Sequence, residues 1–298
     1  MIKSFNELIA IAKKQSSKTI CVVNAHDEDV LKSASIASNE NIARSILVGD
    51  AKKINEISSQ KAIDLNNCEI INELDYQKAI NLSVGLVRDK KAKILMKGKV
   101  QTPDIMKAVL NKEEGLRDSS LLSHVGVFES PCYHKLLFVT DGGLNIAPDL
   151  EKKAAIVKNT LPLVNSFGID FPKIAGVCAI ENVNTSMPST VDAALLSVMS
   201  IRGQLGNCIF EGPLALDNAV SEDAAKTKGI KSNIAGDVDV LLVPNIESGN
   251  IAVKSLTYLG NAKLGGLVLG AKCPIVLTSR ADSYESKLNS MALAVIMN

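Results

Sequence analysis

The sequence predicts an α/β protein of two domains built on mostly parallel sheets, and three observations carry that expectation. Short β-branched apolar runs alternate with longer stretches of helical periodicity along nearly the whole chain. Runs such as TICVV at 19–23 are continuously apolar, as in strands covered on both faces. At 298 residues the chain exceeds one small core and has room for two medium domains.

In order, Phe5, Leu8, Ile9 and Ala12 recur at helix spacing before the strand at 19–23. Val30, Ala34 and Ala37 mark a helix, and SILVGD (45–50) a strand with its turn. A helix near 51–58, a strand at CEII (68–71) and a helix over Tyr76–Val87 follow. KILMKG (93–98) ends in a strand-to-glycine turn, and Thr102–Leu110 resumes helix. This rhythm implies parallel strands joined by right-handed crossovers. SHVGVF and KLLFVT flank ESPCYH, whose Pro131 punctuates a turn, so 122–140 reads as an inserted antiparallel hairpin. Next come a helix at 149–166, the strand IAGVCAI (174–180), and a helix at 188–200 with Val191, Leu195 and Val198 facing the core. NCIFEGP (207–213), a helix near 217–226, VDVLLVP (238–244) and a helix near 249–259 continue the alternation. AKLGGLVLG (262–270), PIVLT (274–278) and a last helix complete it. The change of rhythm sets a domain boundary near 126, with the last strand and helix returning to the first domain because chain termini often lie close together.

Composition excludes several functions. Thirty-three basic against 32 acidic residues leave a net charge of +1, no footprint for nucleic acid or an anionic membrane. With no Trp, six Phe and four Tyr, platforms for stacked bases are scarce. No window reaches the roughly 18 apolar residues of a spanning helix, and MIKSFNELIAIAKKQ alternates at helical spacing instead of forming a signal peptide. A cytoplasmic protein with no nucleic-acid or membrane partner is expected. The six cysteines form no C-x-x-C pair and read as reduced, mostly buried small hydrophobes. His26, His124 and His134 are widely separated, so no metal site is read.

Open parallel sheets bind ligands beyond the carboxyl ends of their strands. Five segments fit that place: MKGKVQT (96–102), TDGGLN (140–145), FEGPLALD (210–217), VPNIESGN (243–250) and LTSRADSYE (277–285), which together suggest a polar cleft on one rim. Ser248 reads as an N-cap whose helix start exposes N–H groups to a phosphate. Lys97 and Lys99 flank Gly98 as point charges for the same ligand. Asp282 and Glu285 have capping-box spacing. Arg280, at a strand end, offers a guanidinium fork for phosphate or carboxylate, with the Ser279 hydroxyl beside it. No G-x-S-x-G elbow surrounds Ser279, and NAHDEDV stands where a G-x-G-x-x-G would follow the first strand, which disfavours a hydrolase triad and a dinucleotide site.

These pieces also resemble a family. KGKVQT, SHVGVFESP, TDGGLNIAPD, EGPLALDNA, PNIESGNIAVKSL and LTSRADSYESKLNS, in this order and spacing, are similar to the phosphate acetyl/butyryltransferases over essentially the full length, most like the butyryl-transferring branch. The resemblance implies the two-domain isocitrate/isopropylmalate dehydrogenase-like fold with an interdomain cleft, one domain spanning 1–126 plus 273–298 and the other 127–272. It implies reversible transfer of a short-chain acyl group, butyryl first, between coenzyme A and inorganic phosphate. An acetyl or broader acyl range is the alternative. A hydroxy-acid dehydrogenase is disfavoured because Arg44, Arg88, Arg117, Arg202 and Arg280 include no R-x-x-x-R arrangement. A non-catalytic acyl-CoA sensor is the third reading. The implied partners are acyl-CoA, inorganic phosphate and acyl phosphate, with a homo-oligomer of two or more chains; coenzyme A is a substrate, with no cofactor or metal.

By the same resemblance Arg280 holds the phosphoryl group and Ser279 donates to the oxyanion. Lys97, Thr102, Asp141, Asn145, Asp217, Ser248, Gly249 and Asn250 are expected to contact substrate. Two positions depart from relatives: Ser286 stands where acetyl-specific members carry Asp, and Gly142 where many carry Cys. Glu285 or Asp282 is then the expected base for the thiol, or positioning of the reactants supplies most of the rate.

Overall fold

The computed structural model describes residues 1–15, 18–119 and 121–297. In chain order the elements begin with α1 (Phe5–Ala12), β1 (Lys18–Val23), α2 (Glu28–Asn39), β2 (Ala43–Gly49), α3 (Ala51–Lys61) and β3 (Cys68–Asn72). They continue with α4 (Tyr76–Arg88), β4 (Ile94–Lys97), α5 (Thr102–Val109), β5 (Ser123–Glu129), β6 (Leu137–Thr140) and α6 (Leu150–Asn165). Next are β7 (Lys173–Val177), α7 (Pro188–Ile201), β8 (Ile209–Leu214), α8 (Leu216–Val220), α9 (Glu222–Thr227) and β9 (Val240–Leu242). The chain ends with α10 (Ile246–Lys254), a π-helical turn (Ser255–Leu259), β10 (Lys263–Leu269), β11 (Ile275–Val276) and α11 (Tyr284–Ile296). No helix among the described residues is long and apolar enough to cross a membrane.

Two compact units result, one of Phe5–Ser120 with Gly265–Asn298, the other of Met1–Ser4 with Leu121–Leu264. The cut expected at 126 lies inside β5, which pairs with β6 from Val125 to Phe128, so the hairpin stays whole in the second unit. The cut expected at 273 lies between β10 and β11, which pair antiparallel through Leu267–Val276 and Val268–Ile275. That pairing carries most of β10 into the first unit along with β11.

In the first unit the strand order is β3-β2-β1-β4-β11-β10, parallel except for β10. Its strands are nearly all apolar: the last four residues of β1 and all of β4 are buried. α11 packs on α1 and α2, and α4 on α5. The α11 helix is buried from Asn289 to Ile296, which leaves it little amphipathic contrast.

In the second unit the order is β5-β6-β9-β7-β8, with only β5 antiparallel to its neighbour. Phe128, Val139, Ala175 and Leu241 anchor its core. The α7 helix corrects the reading of its apolar face as core. It buries Thr190, Ala193 and Leu196, but Leu195, Val198 and Ile201 are 44%, 52% and 83% exposed. The helix expected at 217–226 is broken at Ser221, whose hydroxyl accepts from Ala224 N and starts α9 afresh.

Candidate active site

The first unit gathers its charged groups at the carboxyl ends of β1, β4 and β11. Parallel pairing sets Val23 opposite Lys97 and Val276 opposite Met96, so the segments that follow all leave the same sheet edge. The β1–β4 ladder runs one turn further: Gly98 N donates to Val23 O (3.0 Å) and Lys99 N to Asn24 O (2.8 Å). Beyond β11, residues 279–282 form a tight turn. Ser279 N donates to Asp282 Oδ2 (2.7 Å), and Asp282 N returns to Ser279 O (3.2 Å). Lys287 Nζ, reaching back from α11, donates to Asp282 O.

These segments enclose a cavity of about 170 Å³ lined by Asp27, Lys97, Gly98, Lys99, Thr278, Ser279, Arg280 and Lys287, with Val30 as its apolar wall. Lys97 and Lys287 are 6% and 3% exposed, and Arg280 is exposed. None of the three makes an ion pair with a described carboxylate. Lys97 Nζ makes one long bond, to Gly98 O at 3.4 Å. Burial pulls Lys97 below the usual lysine range, and the charges of Arg280 and Lys287 pull it further, against the opposing pull of Asp27 and Asp282. A half-buried group of cations that form no ion pair with a described carboxylate suits an anion, because a charge removed from water needs a partner, although Asp27 lines the same cavity. At the same edge Asn24 Nδ2 and His26 Nδ1 are buried without a hydrogen-bond partner. Burial, then Lys99 and Lys53, holds His26 below its ordinary value.

Of the residues picked from sequence, Lys97, Ser279 and Arg280 meet in this cavity, whereas Thr102, Asp282 and Glu285 do not line it. Thr102 opens α5, whose cap residue Gln101 donates its N–H to the Tyr76 hydroxyl (2.9 Å). The capping box is also displaced: Ser283 is the N-cap of α11, accepting from Ser286 N, and Asp282 closes the 279–282 turn instead. Glu285 is exposed and faces Tyr284 and Lys32. Sequence reasoning missed Asp27 and Lys287. Asp27 is the N-cap of α2, accepting from Val30 N (3.1 Å). Lys287 lies four residues before Met291 on the buried side of α11, and that spacing was the available signal.

The second unit holds the other predicted residues at the carboxyl ends of β6, β9 and β8. Asp141 is 2% exposed and accepts from Gly143 N (2.8 Å), Leu144 N (2.9 Å), Asn145 N (3.3 Å) and Asn145 Nδ2 (2.6 Å), so this pair shapes its own loop. A Cβ on Gly142 would stand 3.0 Å from Gly249 C, so the loop sits tight against the first turn of α10 and leaves little room for a cysteine. Ser248 is not the cap of α10. Asn245 is, its Oδ1 accepting from Ser248 N (3.0 Å) and Ser248 Oγ (2.6 Å). Asn245→Ala is expected to cost about 1 kcal/mol in urea unfolding, and Ser248→Ala a few tenths. Asn250 is exposed on the same helix. Asp217 accepts from Lys228 (2.8 Å), which also meets Glu181 (2.7 Å), and Lys228 holds Asp217 below the usual carboxylate range.

The family pattern described as phosphate acetyl/butaryl transferase matches residues 4–83 and 75–295. A phosphate butyryltransferase of Clostridium beijerinckii is 46% identical over 297 residues, covering 100% of this chain and 98% of that one. The crystal structure of a branched-chain phosphotransacylase from Enterococcus faecalis superposes with a TM-score of 0.83 at 34% identity, covering 94% of this chain and 98% of that one. The fold is shared more widely: a 4-hydroxythreonine-4-phosphate dehydrogenase from Klebsiella pneumoniae, 12% identical, superposes at 0.60 over 95% of this chain and 100% of that one. With its sequence matched nearly end to end, this chain belongs to the phosphate acetyl/butyryltransferase family.

Proposed function

We propose that the protein transfers a butyryl group reversibly between coenzyme A and inorganic phosphate. The observation that carries this is the cavity of the first unit, where Lys97, Arg280 and Lys287 stand without carboxylate partners beside the Ser279 hydroxyl. The cations of Arg280 and Lys287 suit a phosphate dianion, and the Arg280 fork suits two of its oxygens at once. Ser279 Oγ accepts a long bond from Ala281 N (3.4 Å), which leaves its proton available to a carbonyl oxygen gaining charge. One donor of that kind is typically worth about 10²–10³ in rate. The exchange of a thioester for an acyl phosphate changes no oxidation state, so the reading uses no redox cofactor, and it uses no metal. Phosphate and a coenzyme A ester as substrates support a cytoplasmic setting. The exposed Leu195, Val198 and Ile201 on α7 support assembly with further copies.

The test mixes acyl-CoA of two to five carbons with phosphate and follows free thiol, with butyryl-CoA expected to turn over best. No thiol above the enzyme-free control with any chain length rejects the reading, and a two-carbon optimum moves it to acetyl. Phosphate alone is expected to raise the melting midpoint, since a ligand at 100 times its Kd stabilises by about 2.7 kcal/mol.

A further inference from the structure

Acyl transfer between sulfur and phosphate oxygen moves a proton as well as an acyl group. Hydrogen phosphate must shed a proton as it becomes the acyl ester, and the departing thiolate must gain one. A single group able to take the first and give the second serves both halves. Asp282 is held by Ser279 N, and Glu285 faces Tyr284 and Lys32 away from the cavity. Position 286 is a serine. Among the titratable groups that do line the cavity, Asp27 caps α2 with Oδ1, Lys287 is bonded to Asp282 O, and Lys99 is exposed. That leaves Lys97: buried, next to Ser279 and Arg280, with one long bond to a carbonyl.

Resting on the acyl-transfer reading above, we propose that Lys97 is the acid–base group of the reaction and carries the proton from phosphate to sulfur. The neutral amine receives the proton of hydrogen phosphate as a phosphate oxygen bonds to the thioester carbon and the carbonyl π electrons move onto oxygen. The oxyanion then restores the C=O bond, the C–S bond breaks with its electrons on sulfur, and the Lys97 ammonium protonates the thiolate. Lysine ends as it began, and the reverse reaction runs through the same states. The surroundings suit the task. Burial and the positive charges of Arg280 on the 279–282 turn and Lys287 on α11 pull Lys97 below the usual lysine range and ease the loss of its proton. Asp27 at the start of α2 and Asp282 oppose them, and a bound phosphate dianion adds to that opposition, which favours the ammonium formed as the phosphate proton moves to nitrogen. A carboxylate, with an ordinary pKa of about 4 against about 8.5 for a thiol, is poorly matched to this exchange; a lysine lowered from about 10.4 is closer.

Lys97→Arg keeps a cation for phosphate but cannot give up its proton. It is expected to hold the phosphate KM within about threefold and to lower kcat with butyryl-CoA about 10²-fold, the low end for acid–base catalysis. Lys97→Ala is expected to lose both, with methylamine, ethylamine and weaker amines restoring kcat in order of their basicity. Circular dichroism melts of both variants check the fold. If the parent releases thiol from butyryl-CoA while Lys97→Arg keeps kcat within tenfold, or loses rate through phosphate KM alone, Lys97 only binds phosphate and the shuttle is overturned. Amine rescue that follows size and ignores basicity overturns it as well. If the parent releases no thiol at all, the acyl-transfer reading itself fails.

Discussion

Arg280→Ala is expected to lower kcat/KM for butyryl-CoA with phosphate by about 10³-fold while the melting midpoint stays within about 2 °C of the parent. The two halves have separate causes. Arg280 is exposed and makes no ion pair with a described residue, so truncating it removes no internal support. Its fork is the one planar cation in the cavity, and a paired guanidinium–phosphate contact carries both charge and orientation. Lys97 and Lys287 remain in the variant, so phosphate still binds, but nothing fixes which oxygen faces the thioester. Arg280→Lys restores the charge without the fork and is expected to recover no more than about tenfold, because orientation is the larger part. Equal turnover by parent and Arg280→Ala would remove this residue from the chemistry. A fall in midpoint of many degrees would show that it supports the turn instead.

How far the site was legible follows from what kind of contact each residue makes. The strand ends were readable because continuous apolar runs such as TICVV and KILM stop at polar residues, and parallel pairing then puts those stops on one edge. Lys97, Ser279 and Arg280 lie within two residues of such stops. Lys287 does not. It sits near the start of a helix buried continuously from Asn289 on, where contrast between two faces is weak and only the four-residue spacing to Met291 marks it. Caps were misplaced by one to three residues, at Ser283 in place of Asp282 and at Asn245 in place of Ser248. Several side chains near each helix start can accept the same N–H groups, and the path of the incoming chain chooses among them. On α7 the pattern identified an apolar face correctly, but burial of Leu195, Val198 and Ile201 depends on what lies opposite, which a local pattern does not contain. The β10–β11 pairing depends on context in the same sense: two apolar runs in succession read alike whether they join one sheet side by side or separate domains.

The largest structural effect is expected from the smallest change. Gly98→Ala adds one methyl group at the point where β4 hands Lys97 and Lys99 to the cavity. A Cβ there would overlap Val23 O and stand 2.6 Å from Asn24 O. Neither oxygen is free to move: Val23 O accepts from Gly98 N and Asn24 O from Lys99 N, and both sit at the end of a β1 strand pinned between β2 and β4. Relief requires β4 to draw away from β1, which breaks one or both bonds and shifts the lysines on either side. Overpacking of this kind costs about 3 kcal/mol. A displacement near 1 Å in the groups proposed to hold phosphate is worth about 10²-fold in rate. Gly85→Ala serves as the control, since its Cβ meets only Arg88 Nη2 at 3.6 Å on the surface of α4. There the same methyl group is expected to stabilise by about 0.5–1 kcal/mol, because alanine restricts the unfolded chain and favours helix. Urea unfolding and thiol-release rates on the two variants read both effects. If Gly98→Ala unfolds at the parent's midpoint and keeps its turnover, the close approach of β4 to β1 does not hold the cavity together, and the placement of Lys97 must have another cause.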